Sequence, residues 1–383
     1  MRKLLKVGII GTGFIGPVHV EAARRTGQAE VTALVEKDEK TAVEKAELLG
    51  IPLYFADYKA MLARPDIDIV HICSPNSFHY QMSKDALLSG KHVVCEKPLT
   101  FSRDEAEELV RIAAEKRLVN AVHFNMRYYS LSRHAHTMVR NGSVGKIYSI
   151  TGSYLQDWLL LDTDYSWRLE SKVSGPTRAI GDIGSHWLDL TEYASGLEIE
   201  AVMADFATFH KTRKKPKMDI ISYENTQLSP SDYDEIPIDT EDYATVMLRF
   251  KGGAKGVLTV SQMAAGRKNR ITYEINGDKC SVIWDSEEPN QMLLGRRDRP
   301  NELLFKDPSL LSDEARKLTS YPAGHNEGFA DATKQFLNEL YAYILAEDWD
   351  AEPKFPTFAD GCRDVILCEA IAESAKTGRW VVI

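Results

Sequence analysis

Apolar and polar positions fall into two textures along the chain. Up to residue 124, short apolar runs alternate with segments whose apolar residues recur at helical spacing. Val7–Ile10, Val31–Val35, Ile67–Cys73, Val93–Cys95 and Val119–Phe124 predict buried strands. Pro17–Thr26, Lys40–Leu49 and Phe78–Leu88 predict helices, and Gly50 and Gly90 stop the second and third. Ser102 to Glu105 reads as a capping box that opens an amphipathic helix running through Lys116. Strands alternating with helices demand a parallel sheet covered on both faces.

Beyond Asn125, strand follows strand. Lys146–Tyr154, Ala201–Phe209, Ala244–Phe250, Gly256–Gln262, Ile271–Ile275 and Ser281–Trp284 predict strands, most of them following one another without intervening helices. In one of them Ala244, Val246, Leu248 and Phe250 alternate with Thr245, Met247 and Arg249. That pattern indicates an antiparallel sheet with one packed face. Helices are expected near Leu131–Arg140, Ile183–Ala194, Glu327–Leu345 and Phe358–Lys376. The acidic, aperiodic segment Ser222–Asp242 reads as a loop. The basic run Lys211–Lys217 reads as a solvated loop, because Pro216 interrupts it and acidic sequence follows.

Candidate chemistry sits at the joints of this pattern. Gly11-Thr12-Gly13-Phe14-Ile15-Gly16 lies between the first strand and the first helix, the setting of a dinucleotide fingerprint. Gly11 permits the tight turn, Gly13 lets backbone approach a pyrophosphate, and Gly16 lets helix pack on strand. Glu36 lies 20 residues beyond Gly16, where a carboxylate accepts from a ribose 2′-OH and repels a 2′-phosphate. NAD is therefore expected; Lys37 next door can pair with a phosphate and keeps NADP open. Ser74, Asn76 and His79 follow the third predicted strand and either line the ribose and nicotinamide or serve as plain turn residues. His71 and His123 read as core residues, and His19, His92, His134 and His136 have no identifiable partner.

Glu96-Lys97-Pro98 ends the strand Val93–Cys95, and Pro98 favours an extended Lys97 aimed rigidly at a crevice. Asp182 and His186, spaced i,i+4 in GDIGSH, share one face of a helix. Ammonium, imidazole and carboxylate together can hold a hydroxyl and move its proton. Asp189 would complete a D-x3-H-x2-D set, but three ligands from one short helix rarely converge on one ion, so no metal is expected.

Composition narrows the field. A chain of 383 residues predicts two domains, and 44% hydrophobic with 27% charged content is that of a soluble globular protein. A net charge of −9 argues against a general nucleic-acid binder. The five cysteines, Cys73, Cys95, Cys280, Cys362 and Cys368, form no C-x-x-C pair, which suggests reduced thiols and a cytoplasmic setting. The apolar N-terminus is broken by Lys6 and glycines and reads as a first strand, not a signal peptide. No apolar stretch approaches the roughly 20 residues that span a membrane.

Taken together, GTGFIG at Gly11–Gly16, SPN at Ser74–Asn76, EKP at Glu96–Pro98, NMR at Asn125–Arg127, WR at Trp167–Arg168 and GDIGSH at Gly181–His186 resemble the Gfo/Idh/MocA family of sugar and polyol oxidoreductases. The resemblance implies an α/β protein: an N-terminal Rossmann NAD-binding domain, 1–124, and a C-terminal α+β domain, 125–383. The second domain would carry a large, mostly antiparallel open sheet and serve substrate binding and oligomerisation, giving a homodimer or homotetramer. The resemblance makes Lys97, Asp182 and His186 the catalytic group. It gives Gly11, Gly13, Phe14, Ile15, Gly16, Glu36, Ser74, Asn76, His79, Glu96, Lys97, Trp167 and Arg168 to the cofactor. It brings Gln156, Trp158 and Asn326 to the substrate, with Tyr154 and Tyr128 as aromatic candidates. Tyr154–Trp158, Gly266–Ile275 and His325–Gly328 resemble the branch containing levoglucosan and inositol dehydrogenases.

An NAD-dependent dehydrogenase acting on a sugar, anhydrosugar or cyclic polyol hydroxyl is the leading expectation. Two rivals follow from the same resemblance. One is a glycoside hydrolase that retains NAD and works through a 3-keto sugar; the other is a non-catalytic regulator. Release of free NADH separates the first from a hydrolase, and the intact Lys97, Asp182 and His186 argue against a regulator.

Overall fold

The computed structural model describes residues 3–218 and 229–383. In the first part of the chain, strands β1 (Leu5–Ile10), β2 (Ala29–Val35), β3 (Leu53–Phe55), β4 (Ile69–Ile72), β5 (His92–Cys95) and β6 (Asn120–Val122) alternate with helices. These are α1 (Ile15–Thr26), α2 (Glu39–Leu49), α3 (Tyr58–Leu62), α4 (His79–Leu88) and α5 (Arg103–Lys116). Their sheet is parallel throughout, in the order β3-β2-β1-β4-β5-β6. The order reverses between β1 and β4, and a ligand crevice lies outside the strand C-termini at such a point. The caps follow sequence: Asp38 accepts from Thr41 at the start of α2, and Ser102 from Glu105 at the start of α5. The short β3 and α3 escape the hydrophobic pattern, since neither offers enough residues for a period.

The later elements are α6 (Ser130–Arg140), β7 (Ile147–Leu155), α7 (Ser171–Ser174), α8 (Ser185–Ser195), β8 (Ile199–Ala207), β9 (Thr212–Pro216) and β10 (Tyr233–Pro237). They continue with β11 (Tyr243–Phe250), β12 (Lys255–Ser261), β13 (Arg270–Gly277), β14 (Ser281–Asp285), β15 (Gln291–Gly295), β16 (Glu302–Phe305) and α9 (Asp313–Arg316). Helices α10 (Phe329–Ala346) and α11 (Phe358–Thr377) and strand β17 (Val381–Val382) close the chain. Nine strands form one sheet in the order β16-β15-β14-β13-β7-β12-β11-β8-β17. It is mostly antiparallel but mixed, because β7 and β12 run parallel. Its packed face carries Ala244, Val246, Leu248 and Phe250, all buried. Gly152 on β7 lets Trp187 of α8 close on the sheet, where Trp187 Nε1 donates to Thr272 O at 2.8 Å. A Cβ at residue 152 would stand 2.6 Å from that indole nitrogen.

The chain divides into two compact units, Met1–Tyr129 with Glu327–Val365, and Ser130–Asn326 with Ile366–Ile383. A single cut after residue 124 misses the return of Glu327–Val365 to the first unit. Helix α10 returns because it packs on α1 and offers it polar partners. Arg25 Nη2 meets Asp331 Oδ1 at 2.5 Å, and Gln28 Nε2 donates to Asn338 Oδ1 at 2.7 Å. Tyr128, a pocket candidate by sequence, donates to Glu339 of the same helix at 2.6 Å.

The basic run is not a solvated loop. Thr212–Pro216 is strand β9, paired antiparallel with β10, so part of the expected loop Ser222–Asp242 is also a strand. Residues 222–228 of that loop lie outside the described residues. Charge hid the hairpin, because Arg213 in the middle of the run is fully buried against Asp242. Asp242 also pairs with buried Arg178. Asp242→Ala is expected to cost about 3–5 kcal/mol of stability, because it leaves two buried guanidinium groups short of their counter-charge. Chemical denaturation checks this, and a loss below about 1 kcal/mol would contradict it. Among the described residues, no helix is long and apolar enough to cross a membrane.

Candidate active site

The first unit builds a nucleotide cradle at the switch between β1 and β4. Gly11 has φ 89°, and a Cβ there would stand 2.8 Å from Cys73 O. A Cβ at Gly16 would stand 2.3 Å from Gly11 O, so both positions require glycine. Gly13 is exposed with open space around it, leaving its backbone approachable. Phe14 precedes and Ile15 opens α1, whose N-terminal end favours phosphate. Glu36 directly follows β2 and accepts from Thr12 N and Thr12 Oγ1, both at 2.6 Å, which ties its carboxylate to the glycine turn. These residues fit a dinucleotide. Ser74 and Asn76 follow β4 at the same edge. His79 is buried, with Nδ1 2.7 Å from Pro98 O and Nε2 3.0 Å from Ser74 O. Its ring joins the segment after β4 to Pro98, the residue after Lys97, instead of facing outward. Lys97 itself is half-buried just past β5.

Glu96 points into the unit, where its Oε1 accepts from His123 Nδ1 at 2.6 Å and from His19 Nε2 at 2.9 Å. His19 Nδ1 lies 2.9 Å from His71 Nδ1, and His71 Nε2 lies 3.0 Å from Tyr341 Oη. One set of neutral tautomers satisfies every link: Tyr341 donates to His71, His71 to His19, and His19 and His123 to the carboxylate. No partner for His19 is visible in sequence, because the cluster assembles only when α1, β4, β5, β6 and α10 come together. His19, Glu96 and His123 also present donor atoms within 4.8 Å of one another. Ligand atoms around tetrahedral zinc stand roughly 3.3 Å apart, so the shorter separations here are those of hydrogen bonds.

These buried groups make stability depend on pH. Burial pushes His19 and His71 down, and the neighbouring imidazoles deepen both shifts. Burial also lowers His79, His134 and His136, and takes His92 to about 4. Burial alone would raise Glu96, but His123 and His19 hold it well below the usual carboxylate range. Below the ordinary imidazole value of 6.5, the unfolded chain takes up protons that the folded chain refuses. Stability is therefore lost as pH falls through that value, by up to about 1.4 kcal/mol per pH unit for each imidazole. The carboxylate adds a loss in the same direction at lower pH. Calorimetry should show Tm falling between about pH 7.5 and 5.5; a flat Tm would contradict the buried neutral cluster.

The second unit carries Asp182 and His186 where a π-helical turn, Ile180–Gly184, runs into α8. Glu241 builds that turn. It is buried, and its carboxylate accepts from Arg178 N at 2.9 Å and from Ile180 N at 2.8 Å. Burial raises its carboxyl against the pull of those amides. Asp182 Oδ1 accepts from Arg168 Nε at 3.1 Å, and Oδ2 accepts from Gln262 Nε2 at 3.1 Å. The Arg168 guanidinium lies over the Trp167 ring at 4.5 Å. WR thus meets the DIGSH segment directly. His186 is 9% exposed, with its Nδ1 buried, and its ring centroid is 6.2 Å from that of Tyr154.

Tyr154 and Gln156 converge on Asn269, whose Oδ1 accepts from Tyr154 O–H at 2.8 Å and from Gln156 Nε2 at 2.7 Å. Gln156 Oε1 is buried without a hydrogen-bond partner among the described residues, an acceptor suited to a hydroxyl. Trp158 is half-buried two residues on, and Asn326 is exposed at the end of the unit's long segment. Sequence reasoning missed Asn269, Gln262, Arg178 and Glu241. Asn269 lies within the stretch Gly266–Ile275 already noted, and Arg178, four residues before Asp182, stands at a helical spacing.

Residues 5–124 match the model of the oxidoreductase family with an NAD-binding Rossmann fold, and residues 132–283 match the GFO/IDH/MocA C-terminal domain. The chain is 30% identical to levoglucosan dehydrogenase of Pseudarthrobacter phenanthrenivorans over 396 aligned positions, 98% of this chain and 97% of that one. A solved levoglucosan dehydrogenase in complex with NADH and levoglucosan superposes with a TM-score of 0.88 at 26% identity, covering 100% and 99% of the two chains. An inositol dehydrogenase homologue of Azotobacter vinelandii, in complex with NADH and myo-inositol, gives 0.87 at 25% identity, covering 100% and 98%.

Proposed function

Because the chain belongs to the Gfo/Idh/MocA oxidoreductase family, we propose that it oxidises a ring hydroxyl of a sugar, anhydrosugar or cyclic polyol with NAD. The observation that carries this reading is the assembly around Asp182 and His186. A buried imidazole, a carboxylate held by two donors and the acceptor Gln156 Oε1 suit a neutral, hydroxyl-rich ring. A hydroxy acid would call for a guanidinium clamp, whereas Arg168 already serves Asp182.

Bound NAD supplies the hydride acceptor. Lys97 Nζ donates a hydrogen bond to the reacting oxygen and stabilises the negative charge that grows there as the hydroxyl proton leaves. His186 accepts the hydroxyl proton at Nε2, its Nδ1 being buried, and returns it in the reverse direction. Asp182 accepts from a substrate hydroxyl or orients the imidazole. Gln156, Trp158 and Asn326 complete the substrate set, and Trp167 and Arg168 the nicotinamide side. We further propose a cytoplasmic homodimer or homotetramer; five free cysteines support a reducing compartment, and light scattering tests the oligomer.

Glu36 sets the cofactor preference in this reading. Glu36→Ala is expected to reduce the preference for NAD over NADP by roughly tenfold to a hundredfold, since ribose hydrogen bonds and phosphate repulsion vanish together. Comparing kcat/KM for both cofactors checks this. An unchanged ratio would show that the carboxylate serves only Thr12.

A further inference from the structure

Gln262 directly follows β12, and no feature of the sequence marks it as functional. Its side chain is 1% exposed and lies between a buried cation and the carboxylate of the site. Its Oε1 accepts from Arg178 Nη1 at 3.2 Å, and its Nε2 donates to Asp182 Oδ2 at 3.1 Å. This orientation of the amide is forced, because a guanidinium has only donors and a carboxylate only acceptors. The chemistry also dictates the residue type. A glutamate would repel Asp182, and a lysine would repel Arg178, whereas an amide presents the correct group to each.

Arg178 is itself fixed from behind. Its Nε donates to Thr240 Oγ1 at 3.1 Å, and its Nη2 bonds Asp242 Oδ1. Arg213 Nη2, from the hairpin strand β9, donates to the same oxygen at 2.8 Å. The chain of contacts therefore runs from Arg213 through Asp242, Arg178 and Gln262 to Asp182. The backbone of the π turn is held separately by Glu241, so Gln262 acts on the Asp182 side chain and not on the turn.

We propose that Gln262 is a positioning residue: it tethers Asp182 Oδ2 to the buried Arg178, and with Arg168 on Oδ1 it holds the carboxylate in the one rotamer that meets substrate. The proposal rests on the catalytic reading of Asp182 and concerns a residue that touches neither substrate nor cofactor.

Two variants and a double-mutant cycle test it, each assayed in the full-length protein with NAD and the best substrate of a sugar and polyol panel. Gln262→Met removes both bonds and is expected to lower kcat about tenfold, with KM for NAD unchanged within about twofold. Gln262→Glu keeps an acceptor for Arg178, and so folds, but loses the donor to Asp182 and adds repulsion. Its kcat relative to wild type should fall at least about tenfold at pH 8 and recover as pH is lowered and the introduced carboxylate protonates, because the acid O–H restores the donor. A merely structural role predicts no such recovery. Combining Gln262→Met with Asp182→Asn should be no slower than Asp182→Asn alone, since the first acts through the second. If Asp182→Asn is impaired while both Gln262 variants keep kcat within about twofold of wild type, the tether is overturned and the site stands. Multiplicative losses in the double variant also overturn the tether. If Asp182→Asn keeps wild-type kcat, the reading of the site fails and takes this proposal with it.

Discussion

Lys97→Met is expected to lower kcat for hydroxyl oxidation by at least about a hundredfold while the protein keeps its fold. Lys97 follows β5, whose end is pinned from below by Glu96, held in turn by His19 and His123. That anchorage does not depend on the ammonium, and methionine preserves much of the length and the apolar stem of the side chain. On the proposed mechanism, what disappears is the cation at the oxygen where charge develops. A group that acts mainly on the developing charge moves kcat more than it moves substrate KM. The dissociation constant for NAD should rise only modestly, because the phosphate cradle at Gly11–Gly16 is separate from the strand end. Steady-state kinetics, with NAD binding followed by quenching of protein fluorescence, separates the two effects. A large loss of NAD affinity with unchanged kcat would make Lys97 a cofactor ligand only.

His186→Ala is expected to lower kcat by a similar or larger factor, roughly a hundredfold or more, as for the loss of a general base. The wild-type oxidation rate should rise with pH as the neutral imidazole becomes available, and that dependence should flatten in the variant. The fold should tolerate the change. His186 lies on α8, and the turn before it is held by Glu241 and by the buried ion pairs of Arg178, none of which involves the imidazole. NAD affinity should change little, because His186 belongs to the second unit and the glycine turn to the first. If the variant retains the wild-type pH profile at reduced rate, another group takes the proton.

Much of the fold is legible in the order of hydrophobic runs. The parallel sheet follows from the alternation of strand and helix up to residue 124, and the large sheet from the strands that follow. What escapes is decided by contacts distant in sequence. The run containing Arg213 carries the charge of a solvated loop, yet Asp242, 29 positions on, supplies a buried counter-charge and turns it into strand β9. Helix α10 belongs to the first unit because Asp331 and Asn338 meet Arg25 and Gln28, more than 300 residues back in the chain. Among the candidate residues, EKP in the first unit and GDIGSH in the second stand out because glycine, proline and paired titratable residues punctuate strand and helix ends. The supports of the site do not stand out. Gln262, Asn269 and Glu241 are ordinary polar residues whose roles exist only once the sheet brings strand ends together. His79 and Glu96 lie in the expected motifs but turn inward, His79 to two backbone carbonyls and Glu96 to two imidazoles. A motif names the neighbourhood; the side-chain direction is settled by packing.

This chain is expected to pass hydride from a ring hydroxyl to NAD and to release the reduced cofactor. The most direct measurement follows NADH absorbance while purified protein is offered a panel of anhydrosugars, inositols and aldoses, with hydroxy acids and simple alcohols as controls. Stoichiometric NADH release with at least one sugar or polyol, and none with the controls, is the predicted result. Activity confined to hydroxy acids or simple alcohols would contradict it, as would glycoside cleavage with no net NADH.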